Sequence, residues 1–138
     1  MKFTVNGIPR PLKRHRHTRN GRTYDPSVKD KQSFATQAAL KRPGEPLNGA
    51  LRLKLTFYMP RPKNHYRTGK YARLLKEASP HYHTSAPDTS NLIKLVEDAL
   101  NGMYWTDDRQ IAQVEAEKRY CKPDSHPKTD VQIEILPV

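Results

Sequence analysis

The sequence predicts an α+β domain, a mixed β-sheet covered by two main helices in the order β-α-β-α-β-β. Three observations carry that prediction. Leu51, Leu53, Leu55 and Phe57 alternate with Arg52, Lys54, Thr56 and Tyr58, the pattern of a strand with one buried face. Leu92, Leu95, Val96 and Ala99 recur at i, i+3, i+4 and i+7, the spacing of one buried helical face. Strand and helix patterns succeed one another along the chain, with two strands at its end. The 138 residues make a single domain, 1–138, with room for a modest core and not for two.

Lys2 to Ile8 alternates, with Phe3, Val5 and Ile8 apolar, and reads as a first strand ended by Gly7 and Pro9. Residues 10–24 form a basic loop that holds Arg10, Lys13, Arg14, Arg16, Arg19 and Arg22 and no acid. Asn20-Gly21 is a turn signal, and Thr23-Tyr24 begins a short strand. Asp25-Pro26-Ser27 reads as a cap with proline at the first helical position, opening a helix to about Lys41 with Phe34, Ala35 and Ala38 inward. Pro43-Gly44-Glu45-Pro46 stops it, and the long strand follows from Leu47 to Met59.

Residues 60–86 have little apolar periodicity. Arg61, Lys63, Arg67, Lys70, Arg73 and Lys76 are interleaved with His65, Tyr66, Tyr71, His81 and Tyr82. A loop of this length is functional or disordered. Its mixture of cations and aromatics suits unstacked bases or distorted duplex; the plainer alternative is an insertion whose tyrosines pack on its own base. His81-x-His83 has metal-ligand spacing but no neighbouring third ligand. The central helix runs from Asp88, an N-cap after Pro87, to Asn101, with Gly102 at C′; Asn91, Lys94, Asp98 and Asn101 form its polar stripe. Ile111, Val114 and Ala116 begin a strand to about Cys121, and Val131, Ile133 and Ile135 alternate in a last strand ended by Pro137.

Twenty-five Lys and Arg against fourteen Asp and Glu leave a net charge of +11, and the apolar fraction is 35%. A surplus that large implies a polyanionic partner, since each phosphate contacted releases condensed counterions. Cys121 is the single cysteine, which excludes an intrachain disulfide and a Cys-based zinc site and fits a reducing compartment. Without an apolar run of about 18 residues or a signal-peptide core, the expectation is a soluble, cytoplasmic protein with no membrane partner.

In this basic chain the acids gather at Asp88 and at Asp107-Asp108. Phosphodiester hydrolysis needs carboxylates to hold Mg²⁺ or Mn²⁺, a cation against the charge that builds on phosphate oxygens, and an activated water. Asp88, Asp107 and Asp108 can supply the first, and Lys94 the second. Each residue also has a bland reading. Asp88 caps the helix, Lys94 pairs with Asp98 at i+4, and Asp107-Asp108 is an exposed turn.

Pro87-Asp88-x-x-Asn91-Leu92-x-Lys94-x-x-x-Asp98-Ala99-Leu100-Asn101-Gly102, followed by Trp105-x-Asp107-Asp108-x-Gln110-Ile111, resembles the core motif of RusA-type Holliday junction resolvases. Pro11-x-Lys13 with Thr18-Arg19-Asn20-Gly21-Arg22-Thr23-Tyr24 resembles that family's basic loop, and Pro62-Lys63-x-His65-Tyr66-x-Thr68-Gly69 an insertion of some phage members. The resemblance implies a homodimeric α+β endonuclease, phage- or prophage-encoded, that binds four-way DNA junctions and nicks opposing strands with Mg²⁺ or Mn²⁺. It implies Asp88 and Asp108 as metal-binding catalytic acids and Lys94 as the catalytic lysine. Arg10, Lys13, Arg14, Arg16, Arg19, Arg22, Lys63, Arg67 and Lys70 are the expected DNA contacts.

One position departs from the family pattern. Where a second Asp follows the first by two residues, this sequence has Ser90, a far weaker ligand for Mg²⁺. Either Asp88, Asp107 and Asp108 hold the metal, or cleavage is weakened or absent and the protein binds junctions without cutting; an engineered inactivating change at this position is a further alternative. A basic ribosomal-type RNA binder would explain the charge but not the clustered acids.

Overall fold

Alternation over residues 51–59 produces the strand on which the sheet is built. The computed structural model describes residues 1–138 and arranges them as β1 (Lys2–Asn6), β2 (Arg16–His17), β3 (Thr23–Tyr24), α1 (Val28–Ala39), β4 (Leu51–Met59), α2 (Thr89–Leu100), β5 (Ile111–Tyr120) and β6 (Lys128–Ile135). The main sheet has the order β1-β6-β4-β5. β6 runs antiparallel to both β1 and β4, while β4 and β5 are parallel, so the sheet is mixed as expected. The parallel β4–β5 step needs a crossover, and α2 supplies it.

β4 turns Leu51, Leu53, Leu55, Phe57 and Met59 inward, where they meet Phe3, Val5, Val131 and Ile133 of the neighbouring strands. α1 adds Phe34 and Ala38 to this core, and α2 adds Leu92, Leu95, Val96, Ala99 and Leu100. The helical face read from the spacing of α2 is therefore the buried one. Tyr104 and Trp105, just beyond α2, are also fully buried, and the Tyr104 hydroxyl donates to the Ala38 carbonyl at 2.7 Å. Alternation and helical period do not mark these two, because they lie in a turn.

Several boundaries differ from the sequence expectation. α1 begins at Val28 with Ser27 at the N-cap position, so Pro26 precedes the helix, and it ends at Ala39. Asp25 accepts from the Ser27 N–H at 2.9 Å and pairs with Lys31. The Ser27 hydroxyl is not used for capping; it accepts from the Lys13 N–H at 2.8 Å. β4 starts at Leu51 and not at Leu47, because Leu47 is drawn into a bridge with Trp105. β5 is an edge strand with one extra residue near its start, where Leu51 faces Ile111 and Arg52 faces Gln113. Val114 stands at that edge and stays exposed, as does Ile135 at the end of β6.

The expected turn at Asn20-Gly21 and short strand at Thr23–Tyr24 are present, and two regions read as loops have further structure of their own. β2 and β3 pair antiparallel within residues 10–24, closed by Thr18 N–H to Arg22 carbonyl at 2.7 Å and by Gly21 at φ 75°. Residues 60–86 contain short 3-10 turns at Lys63–His65 and Gly69–Tyr71 and a bridge between Tyr66 and Leu75.

Candidate active site and nucleic-acid interface

α2 opens at Asp88, whose extended backbone makes it the N-cap residue. Its carboxylate makes no capping hydrogen bond, so the reading of Asp88 as a mere cap lacks its defining contact. The adjacent groove, about 570 Å³, brings Asp88, Asn91 and Lys94 against Lys13, Arg14 and His15. A backbone bond from Leu12 N–H to the Asn91 carbonyl, 2.9 Å, fastens the basic segment to the first turn of α2. The Lys13 N–H bond to Ser27 fixes the same segment to the start of α1. Two parts of the sequence 75 residues apart, Lys13 and Asp88, thus line one groove.

Lys94 is exposed on α2. It does not pair with Asp98, because Asp98 faces α1 and meets Lys31 at 3.8 Å. The ammonium is left for the groove. Arg10, Lys13, Arg14, Arg16, Arg19 and Arg22 are all exposed, and none of them forms an ion pair with an acid. Lys63 is likewise exposed. Arg67 is held by the Leu75 carbonyl at 3.2 Å, and Lys70 lies over the Tyr71 ring at 5.2 Å. Tyr82 carries Arg119 over its ring at 5.0 Å. The interleaved cations and aromatics of this region are therefore partly engaged with one another.

Asp107 and Asp108 are placed differently from Asp88. Asp107 caps a 3-10 turn over Asp108–Gln110, accepting from the Arg109 N–H at 2.8 Å and pairing with its guanidinium at 3.1 Å. Those Arg109 contacts hold its carboxyl below the usual range. It lines a separate depression with Thr106, Arg109 and Gln110. Asp108 accepts from the indole N–H of Trp105 at 2.7 Å through Oδ1, which leaves Oδ2 available. Asp108 also lies near Glu97 of α2, whose carboxyl is pushed up first by burial and then by Asp108 and Asp98. Ser90 is exposed in the first turn of α2.

No three Asp, Glu, His or Cys side chains converge closely enough to hold a metal ion, His81 and His83 included. A hard cation such as Mg²⁺ needs less than that from protein. It takes one or two carboxylates and completes its shell with water and substrate phosphate. The uncapped Asp88, in a groove whose cations draw phosphate, fits that requirement. Both carboxylate oxygens of Asp107 meet Arg109, Oδ1 its N–H and Oδ2 its guanidinium.

Sequence reasoning missed Glu97 and Lys118. Glu97 lies three residues beyond Lys94, so helical spacing places it on the neighbouring turn of the same side. Lys118 shares the phase of Val114, Ala116 and Tyr120 in β5 and pairs in register with buried Phe57. A lysine in an inward phase was the signal.

Comparison with known proteins adds two findings. The family model described as "Endodeoxyribonuclease RusA" matches residues 5–134. A Bacillus subtilis (strain 168) protein named "Uncharacterized protein YqaN" is 32% identical over 138 residues, spanning 96% of this chain and 94% of that protein.

Proposed function

The chain belongs to the RusA endodeoxyribonuclease family, and from that membership we propose that it binds four-way DNA junctions and nicks opposing strands by metal-dependent phosphodiester hydrolysis. One observation carries the reading: the uncapped Asp88 and the free Lys94 share a groove with Lys13 and Arg14. An acid and a lysine surrounded by phosphate-binding cations suit hydrolysis of a backbone better than simple adhesion to it.

In this reading the exposed cations of the β2–β3 hairpin, with Lys63, Arg67 and Lys70 from residues 60–86, hold the phosphates of the junction arms. Asp88 would hold Mg²⁺ or Mn²⁺, with Asp108 as the second carboxylate that the family pattern implies. Held there, such an ion would supply Lewis-acid polarisation of the scissile phosphate and a lowered pKa for an attacking water. Lys94 neutralises negative charge as it builds on the nonbridging oxygens. Asp107 is left out of the ligand set, since Arg109 occupies it. Two symmetric nicks call for two sites related by a two-fold axis, and so for a homodimer.

A second reading has its own support. Ser90 stands where the family pattern has a carboxylate, and no three acids converge. A protein that binds junctions and has lost cleavage would show those features. One experiment separates the readings. Purified protein is incubated with a four-way junction, a linear duplex of the same sequence and a folded RNA, in Mg²⁺, in Mn²⁺ and in EDTA. Paired nicks on the junction alone, lost in EDTA, are expected. Junction binding without nicks in either metal would favour the second reading, and preference for the RNA would overturn both.

A further inference from the structure

Lys118 is the one lysine of β5, and it is turned toward the face of the sheet that α2 covers. A half-buried ammonium in an apolar phase is costly unless its protons find acceptors. Here they do. Nζ donates to the carbonyl of Ser85 at 2.7 Å and to the carbonyl of Pro87 at 2.7 Å. These carbonyls belong to the segment that leads directly into Asp88. The same segment is tied to β5 upstream by two backbone bonds, His83 N–H to the Lys118 carbonyl at 3.1 Å and Tyr120 N–H to the His81 carbonyl at 2.9 Å. Residues 81–83 thus lie along the free edge of β5, and Lys118 continues the attachment to residue 87 with its side chain.

The Asp88 carboxylate has no capping bond that would fix its direction. Its position is set by its backbone, and on the N-terminal side that backbone is held by Lys118. We propose that Lys118 is a positioning residue for the reaction, a clamp that joins β5 to the Ser85–Pro87 carbonyls and so aims the Asp88 carboxylate into the groove. The inference rests on the reading of Asp88 as the acid of the cleavage site. Lys118 itself has both hydrogen bonds committed to main chain, which separates its role from that of the free Lys94. Groups that orient a ligating carboxylate typically matter by about 10- to 100-fold in metal affinity or activity.

The test compares the full-length protein with Lys118→Met, which keeps the stem and removes the donors, and with Lys118→Arg, which can still reach two carbonyls. Amide hydrogen exchange without metal should speed up in Lys118→Met over residues 83–92, with exchange in β4 and β6 unchanged, and Lys118→Arg should restore most of the protection. Junction cleavage by Lys118→Met should fall about tenfold or more while junction affinity in EDTA changes less than about threefold. A Lys118→Met protein that cuts at the wild-type rate, exchanges like wild type over residues 83–92, or melts and loses affinity in step with cleavage overturns the clamp while leaving the resolvase reading intact. A wild-type protein that cuts no junction overturns the reading and the clamp with it.

Discussion

The indole N–H of Trp105 donates to Oδ1 of Asp108 at 2.7 Å, so a fully buried ring fixes the direction of a half-buried carboxylate. The backbone of Trp105 is held in turn by the bridge to Leu47 and by the Gly102 N–H bond to the Trp105 carbonyl at 2.7 Å. Core packing and a proposed catalytic acid are thereby joined in one side chain.

Trp105→Phe keeps an aromatic ring in the core and removes the donor. Loss of the bond itself should cost about 1 kcal/mol of stability, with a further cost for the smaller ring. If Asp108 takes part in the chemistry, cleavage should drop about tenfold beyond what the modest loss of stability explains. Single-turnover rates measured well below the melting temperature will separate the two effects. A rate equal to wild type would place Asp108 outside the site.

Lys94→Ala and Arg14→Ala should fail in opposite ways. Both side chains line the groove, but only Lys94 sits on α2 within two helical turns of Asp88. Removing Lys94 should lower cleavage far more than binding, since its charge is needed most in the transition state. Removing Arg14, or Arg16 on the hairpin, should weaken binding and flatten the slope of log K against log salt by roughly one unit. Equal losses of binding with an unchanged slope would refute the hairpin as a phosphate contact.

Glu97 gives a pH signature. Burial, and then Asp108 and Asp98, raise its carboxyl above its ordinary value of 4.5, so the folded chain favours the protonated form. The resulting cost to stability is absent below the unfolded pKa and present in full above the folded one. Glu97→Gln should therefore raise the melting temperature at pH 7, with a gain that shrinks as pH falls toward 4. A gain that stayed constant with pH, or appeared only in acid, would contradict the assignment.

The main sheet and both helices were legible because each depends on a period. The alternation of Leu51 to Phe57 and the helical spacing of Leu92 to Ala99 both mark faces that the fold buries. Non-periodic features were not. Tyr104 and Trp105 are core residues in a turn; the Asn20-Gly21 turn and the Thr23–Tyr24 strand were readable, but the partner strand Arg16–His17 was not. Asp88 and Lys94 were readable from helical spacing, but the long-range contact that brings Lys13 and Arg14 to them was not. The Asp107 and Asp108 roles divided for a reason the sequence hides. One carboxylate caps a 3-10 turn and the other meets a buried indole.

Ser90→Asp tests the one departure from the family pattern. The added carboxylate would enter the first turn of α2, where unpaired N–H groups favour an anion by about 0.3–1 kcal/mol. A carboxylate-to-metal contact outweighs that term, so the variant should reach half-maximal cleavage at a lower Mg²⁺ concentration. Junction affinity without metal should hold or fall slightly. Coincident Mg²⁺ titrations, with the Ser90 protein fully active, would mean that the missing acid is supplied by another residue.

The central claim is that the groove shared by Asp88 and Lys94 is where strands are cut, and Asp88→Asn tests it most directly. Junction binding and nicking are measured side by side for the variant and the natural protein at saturating Mg²⁺ or Mn²⁺. The account predicts that nicking disappears while affinity is kept or improved, because a negative charge facing phosphate has been removed. Nicking at the natural rate, or loss of nicking only in proportion to lost binding, would contradict it.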